Sequence, residues 1–231
     1  LESLESDRII SRDSNRDVYY FGHDLLKDWV LYRILKQNQE DLTSYLFEIR
    51  QPLGLYRSIR LLGIALLEEN ESPNLWIDLI RQVEQQTELS GRWEQALLAA
   101  PINSPRSIEL LEKVESFLFS ENAKYLIKLM IILRTIEVEP NFSYLNALEK
   151  TNYSSSERMN ILLRDPIPRW KIWQPFMKWI LPRLTTLPKN ARTEAIRLME
   201  MWQLKISIGS IYRQEIAEIA FSWLQEKKGG F

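Results

Sequence analysis

The 231-residue sequence is 45% apolar and 26% charged, which is ordinary for a soluble globular protein. A formal net charge of −1 gives no overall attraction to nucleic acid or anionic membranes, and the absence of cysteine excludes disulfides and thiolate metal sites. With one histidine, no signal peptide and no long uncharged apolar run, we expect a cytoplasmic protein without a histidine-based metal site.

The first 22 residues have the pattern of a β-hairpin. Two short stretches with β-branched or aromatic residues, Arg8–Ser11 and Val18–Phe21, flank the polar turn Arg12–Asp17. Two strands alone do not fold stably in water, so the hairpin needs further chain to pack against. A hairpin that leads directly into a helix looks like the end of a winged-helix domain.

The only histidine, His23, lies where this hairpin gives way to a helical pattern. Unpaired N–H groups and the positive end of the dipole attract anions at the first turn of a helix. His23 can therefore donate to a phosphate bound alongside, or it can simply cap the helix. Asp24 is favourable beside the dipole in either case. On the helix that follows, we expect Asp28 to be solvated and Trp29 to anchor the core.

From Asp24 onward the apolar residues recur at helical spacing, with Ser-Pro, Ser-Gly and Pro-Asn pairs between the segments. The short links predict a mainly α fold, an irregular α-solenoid of antiparallel helix pairs, preceded by the hairpin and helix as a winged-helix remnant. The predicted helices are Asp24–Asn38, Glu40–Ile49, Leu53–Glu69, Asn74–Gln86, Arg92–Ala99, Pro105–Phe119, Ala123–Glu137, Phe142–Lys150, Ser155–Leu163, Ile172–Leu184, Asn190–Gln203 and Ser210–Glu226.

The stretch 166–179 holds three tryptophans and three prolines, which indicates a rigid aromatic elbow. It divides the prediction into a winged-helix part (1–38), a helical block (39–164) and a second helical block (165–231). Trp170, Trp173 and Trp179 either form a partner-binding surface, where tryptophan is enriched, or lie in the core, as aromatic residues at helical spacing commonly do.

No catalytic constellation is visible. The seven glycines form no phosphate-binding loop, and no nucleophile-base pair or metal cluster is evident. Arginine and lysine in the last third alternate with glutamate, so a solvated face is expected there rather than a nucleic-acid groove. The sequence begins with Leu1, and we expect it to be the C-terminal piece of a larger protein with an ATPase core upstream. By itself the chain is not expected to be an enzyme.

The nine residues Phe21–Trp29, read FGHDLLKDW, resemble the MHD motif that closes the winged-helix subdomain of STAND nucleotide-switch NTPases. Phe21-Gly22 stand where that family has other residues before His-Asp. The resemblance implies that His23 contacts the β-phosphate of ADP and holds the switch off, while Asp24 fixes the histidine loop. ATP or ADP would then be bound only in the parent protein, by its upstream NTPase domain.

The helical part is similar in pattern to the region after the NTPase in bacterial antiviral, Avs-like STAND proteins. The similarity lies in three stretches, Arg57–Leu62, Gly91–Pro101 and Pro166–Trp179. It implies a helical sensor whose concave face binds a protein ligand such as a phage component, in a parent protein that forms a homo-oligomer. The alternative is a helical-repeat scaffold with no nucleotide link; a helical hydrolase or nuclease fits less well.

Overall fold

The structure is a computed structural model that describes residues 10–13, 18–21, 24–149, 152–164, 166–203 and 211–228. The described chain is mainly helical, which confirms the predicted fold class at that level. Contacts between Cα atoms divide it into two compact units, one ending at Ala100 and the other beginning at Pro101. No helix in the described ranges is long and apolar enough to span a membrane.

Unit 1 begins with the antiparallel strands β1 (Ile10–Asp13) and β2 (Val18–Phe21), with Ile10 opposite Phe21. These strands overlap the predicted pair, but Arg12 and Asp13, predicted in the polar turn, pair with Tyr19 and Val18 in the sheet, and the rest of that turn (14–17) lies outside the described residues. Five helices of this unit are named as follows: α1 (Asp24–Gln37), α2 (Leu42–Glu48), α3 (Tyr56–Glu69), α4 (Asn74–Gln85) and α5 (Arg92–Leu98). The short α6 (Ala100–Asn103) crosses the boundary between the units.

Unit 2 contains the remaining helices and a second small antiparallel sheet, in which Val138 pairs with Pro168. This sheet joins residues on both sides of the predicted boundary at 164/165; the predicted three-part division itself stays a prediction. The elements of the unit are α7 (Ser107–Lys113), α8 (Glu115–Leu118), α9 (Ser120–Thr135), β3 (Val138–Glu139), α10 (Leu145–Leu148), α11 (Ser155–Arg164), β4 (Ile167–Pro168), α12 (Trp170–Ile180), α13 (Lys189–Gln203) and α14 (Ile211–Lys228).

Helix α1 packs against α3, and two ion pairs fix its orientation. The carboxylate of Asp28 lies 3.8 Å from Arg57 at the start of α3, and Lys36 Nζ donates to Glu69 at the end of α3 over 2.8 Å. Because both pairs occur in the same order along the two helices, α1 and α3 point in the same direction. The Lys36–Glu69 hydrogen bond also raises the pKa of Lys36 above its usual value.

The expected roles of Asp28 and Trp29 were wrong, because the structure reverses them. Asp28 is 5% exposed and faces α3, whereas Trp29 is 56% exposed. At 100° per residue, Leu35 falls on the same side of α1 as Asp28, and Trp29 falls about 100° away from that side. Helix α1 has apolar residues around most of its circumference, so the neighbouring helix decides which of its faces is buried.

The core of unit 1 depends on a close approach of α3 to α5 and α6. A Cβ atom added to Gly63 would lie 2.8 Å from the Cβ of Ala100, so only glycine fits there without a shift. The buried indole of Trp76 donates to the backbone oxygen of Leu97 over 3.0 Å, which satisfies a carbonyl at the end of α5. Together these contacts hold α3, α4 and α5 in one cluster.

Each unit contains a strained turn among its described residues. In unit 1, Gln51 has a positive φ of 50°, and its amide oxygen accepts from the Ser90 backbone N–H and the Trp93 indole at 3.0 and 3.1 Å. In unit 2, Glu121, Asn122 and Ala123 form a left-handed turn before the regular part of α9. Such residues cost about 1–2 kcal/mol each, so the surrounding contacts must outweigh them.

Candidate partner-binding surface

The nucleotide-contact residues predicted from the sequence are only partly described. His23 lies outside the described residues. Asp24 is the first residue of α1, where its negative charge is favourable next to the helix dipole. Its carboxylate is well exposed and lies 3.4 Å from Lys27. The nucleotide contact of His23 and Asp24 therefore stays a prediction.

The three tryptophans proposed as partner residues have different environments. Trp173 and Trp179 are buried in unit 2, whereas Trp170, at the start of α12, is 42% exposed. The indole of Trp179 lies under the guanidinium of Arg183, with 4.7 Å between them, and against the ring of Phe176. Of the three, only Trp170 offers a ring face to another molecule without rearrangement of the core.

A stack of indoles holds Trp170 in place. Its ring lies 5.0 Å from that of Trp202 on α13, with only 12° between their planes. Trp202 in turn lies nearly parallel to Trp173, at 6.3 Å and 10°. Trp202 is thus the central ring of the cluster, and the sequence analysis missed it. Its spacing on α13 from Ala191, Ala195, Leu198 and Met199 is the signal that would have placed it on the buried side.

The buried carboxylate of Glu137 fixes the start of α12 and therefore the position of Trp170. The backbone oxygen of Glu137 accepts from the indole N–H of Trp173 at 2.6 Å and from the backbone N–H of Arg169 at 3.2 Å. Its side chain accepts from Asn103 at 3.1 Å and from the Arg169 guanidinium at 3.4 Å. A buried carboxylate is tolerated only with such partners, and here they join the end of α6, β3 and α12.

Further apolar side chains are exposed in the neighbouring segments of unit 2. The bridge between Glu139 and Ile167, and a 2.9 Å hydrogen bond from the Asn141 N–H to the Leu162 oxygen, bring these segments side by side. Exposed apolar side chains that cluster in sequence and in space are typical of interaction sites. The exposed large side chains here are Phe142, Tyr144, Leu145, Tyr153, Met159, Leu163 and Trp170, and we call this set the Trp170 surface.

The helix α11, which carries Met159 and Leu163 on one face, begins with a capping box. The Ser154 hydroxyl and backbone N–H both donate to the Glu157 carboxylate, at 2.7 and 2.8 Å, and the Glu157 N–H donates to the Ser154 hydroxyl at 3.3 Å. These hydrogen bonds, the one from the hydroxyl first, lower the pKa of Glu157 below its ordinary value of 4.5. Only Leu162 of α11 is buried, so the cap matters for the stability of this helix.

The described part of the chain offers less support for a metal or small-molecule site than for a protein-binding surface. No group of three or more histidine, aspartate or glutamate side chains that could hold a metal is found there. An open depression of about 400 Å³ lies between the start of α7 and Pro175 of α12. Its lining residues Arg106 and Glu109 pair with one another, and this pairing lowers the pKa of Glu109.

Comparison with known proteins adds no identification. No family model matches the sequence, and no curated protein matches it. Function therefore has to be inferred from the side chains themselves.

Proposed function

We propose that this chain is a helical sensor that binds a protein ligand through the Trp170 surface. The observation that carries the proposal is the state of Trp170, which is half exposed yet stacked on Trp202 and anchored through Arg169 and Glu137. A ring that is already fixed loses little conformational entropy on binding, and tryptophan is enriched among the residues that dominate binding energy.

The surroundings of Trp170 also support a protein ligand. Tyr153, Met159 and Leu163 offer exposed apolar side chains, which suit contact with the side chains of a protein. Exposed Arg164 and Lys171 lie beside this area in the sequence and can form a polar rim. Methionine adapts its shape to different partners, which is useful in a surface that must recognise a variable ligand.

We further propose that the helices form an irregular α-solenoid of antiparallel pairs, with β1, β2 and α1 as the end of a winged-helix domain. The common direction of α1 and α3 supports this arrangement, because alternate helices of such an array run the same way. The contact of Gly63 on α3 with Leu97 on α5, two helices further along the chain, supports it as well. A strand pair that leads into α1 is compatible with a winged-helix end.

We also propose that the sensor controls a STAND-type nucleotide switch in bacterial antiviral defence, with the helical units in the cytoplasm. In the parent protein, His23 would contact ADP in the resting state, and ligand binding would release the switch and allow homo-oligomerisation. The support is the FGHDLLKDW motif at the start of α1. To move the switch from about 1% open to about 99% open, the ligand must bind the open state about ten-thousand-fold more tightly than the closed state.

The ligand-binding proposal is tested by placing a photo-crosslinking amino acid at position 170 in cells that contain the ligand. The control is the same amino acid at Phe221, which is 62% exposed on α14 of the same unit. We expect a discrete crosslinked protein from position 170 and none from position 221. Equal crosslinking from both positions, or none from either, would refute the role of the Trp170 surface.

The nucleotide link is tested separately in the parent protein. We expect His23→Ala to lower the amount of ADP that copurifies and to raise basal activity, because a phosphate contact is lost. Asn15→Ala, in the predicted hairpin turn, is the control and should leave both unchanged. If His23→Ala retains its ADP and its basal activity, the helical-repeat scaffold without nucleotide coupling is the better account, and the Trp170 surface remains its binding site.

A further inference from the structure

Helix α1 carries an exposed apolar face that is independent of the Trp170 surface. Leu25, Leu26 and Trp29 are 68%, 38% and 56% exposed, and helical spacing places all three on one side. The centre of this side lies about 100° around the helix from Asp28, which faces α3. Three large apolar side chains within five residues are a substantial exposed patch for a helix that also packs against α3.

The same face continues into a positively charged end. Arg33, one turn after Trp29, lies with its guanidinium 5.9 Å from the Trp29 ring centre, and no carboxylate among the described residues pairs with it. Lys36 lies one turn further and is held by Glu69. Helical spacing places both acidic residues of α1, Asp24 and Asp28, on the other side of the helix.

A depression at this end provides room for an anionic group. It has a volume of about 230 Å³ and is lined by Arg33, Lys36 and Gln37. Because Glu69 already neutralises Lys36, the charge left to attract an anion is that of Arg33. Guanidinium groups bind carboxylates through paired hydrogen bonds, and an exposed tryptophan beneath the cation restricts its orientation.

We propose that this face of α1 binds a protein segment that carries apolar side chains and, about one helical turn away, an aspartate or glutamate. The apolar side chains would cover Leu25, Leu26 and Trp29, and the carboxylate would bind Arg33 at the depression. Among the described residues of this face only Arg33 is a cation without a carboxylate partner, and a single such cation suits one carboxylate better than an anionic membrane, whose attraction grows with the number of basic residues. Tryptophan and arginine together are also the residues most enriched at the centres of protein interfaces.

The test uses a displayed library of random peptides of the same length as α1, selected against the intact 231-residue chain. Peptides that also bind the Trp29→Ala variant are removed. We expect the remaining peptides to share large apolar residues and an aspartate or glutamate at a fixed spacing. Their binding should weaken with added salt, since the exposed ion pair is screened.

Variants of the chain then locate the site. We expect Trp29→Ala and Arg33→Glu each to weaken peptide binding by about tenfold or more, while Arg33→Lys, which keeps the charge, loses less. Leu75→Ala and Arg50→Glu are matched controls in unit 1, because both side chains are exposed and lie outside α1. Both should bind as the unchanged chain does. Circular dichroism checks that every variant is folded.

Several outcomes would overturn the proposal. One is that no selected peptide depends on Trp29, and another is that the selected peptides lack acidic residues. A third is self-association in sedimentation that Trp29→Ala abolishes, which would assign the face to a second copy of the chain. The last is Trp29-dependent binding to vesicles of equal parts phosphatidylcholine and phosphatidylserine, which would assign it to a membrane surface.

Discussion

Helices α1 and α12 both carry tryptophan, but α1 exposes its single tryptophan whereas α12 buries two of its three. In α12 the polar residues Lys171 and Lys178 lie opposite the buried Trp173, so the helix itself determines which face enters the core. In α1 apolar residues lie on several sides, and packing against α3 buries Asp28 while Trp29 stays exposed. A strongly amphipathic helix fixes its buried face, whereas a weakly amphipathic one leaves that choice to its neighbours.

The largest expected effect is a difference in stability between a tryptophan variant of α12 and one of α1. Trp173→Ala should destabilise the protein by about 3–5 kcal/mol, because it leaves a cavity and removes the hydrogen bond to Glu137. Trp29→Ala should change the free energy of unfolding by less than about 0.5 kcal/mol, since its ring is exposed. Urea unfolding followed by circular dichroism measures both, and similar losses for the two variants would contradict the contrast.

The second effect concerns Glu137, which fixes the start of α12 and therefore the position of Trp170. Glu137→Ala should cost about 1–3 kcal/mol, because the Asn103 amide and the Arg169 guanidinium lose the buried carboxylate that accepts from them. Glu112→Ala, on the exposed side of α7, is the control and should be close to neutral. The same urea experiment applies, and a neutral Glu137→Ala would mean that this carboxylate does not hold the start of α12.

A smaller effect tests why Asp28 is the buried residue of α1. Arg57→Ala removes the cation 3.8 Å from a buried carboxylate and should cost about 1 kcal/mol, since Arg57 itself is largely exposed. Replacing Asp28 by alanine in the same chain should recover part of that loss, because no buried charge is then left unpaired. Thermal unfolding of the single and double variants measures this, and strictly additive losses would show that the two residues are not coupled.

The smallest effect is local and depends on pH. The pKa of Glu157 is lowered in the folded chain, so the stability it gives α11 is present above 4.5 and is lost as the pH falls through the folded value. We expect the amide protons of α11 to exchange faster at acid pH, after correction for intrinsic exchange. In Glu157→Gln this extra pH response should disappear, and a response that persists there must come from another group.

Much of the fold follows from sequence pattern, and the exceptions have physical reasons. Most helices lie close to their predicted bounds, since capping residues such as Ser154 mark where a helix can begin. The short strands β3 and β4 were missed, because two residues leave no periodicity to read. The central position of Trp202 and the burial of Glu137 depend on contacts between distant parts of the sequence.

The candidate binding residues could be predicted from the sequence only in part. Local composition identified the tryptophan-rich stretch, but only tertiary packing separates exposed Trp170 from buried Trp173 and Trp179. On α1, the pattern that favoured Trp29 as a core residue also fits an exposed binding face, and the sequence offers no way to choose between them. The nucleotide contact of His23 stays a prediction.

The most direct test measures the affinity of the protein ligand captured by crosslinking at position 170. Trp170→Ala should weaken its binding by about tenfold or more while the chain remains folded, and Phe221→Ala should leave the affinity unchanged. Folded Trp170→Ala that binds this ligand as tightly as the unchanged chain would contradict the proposed sensor surface.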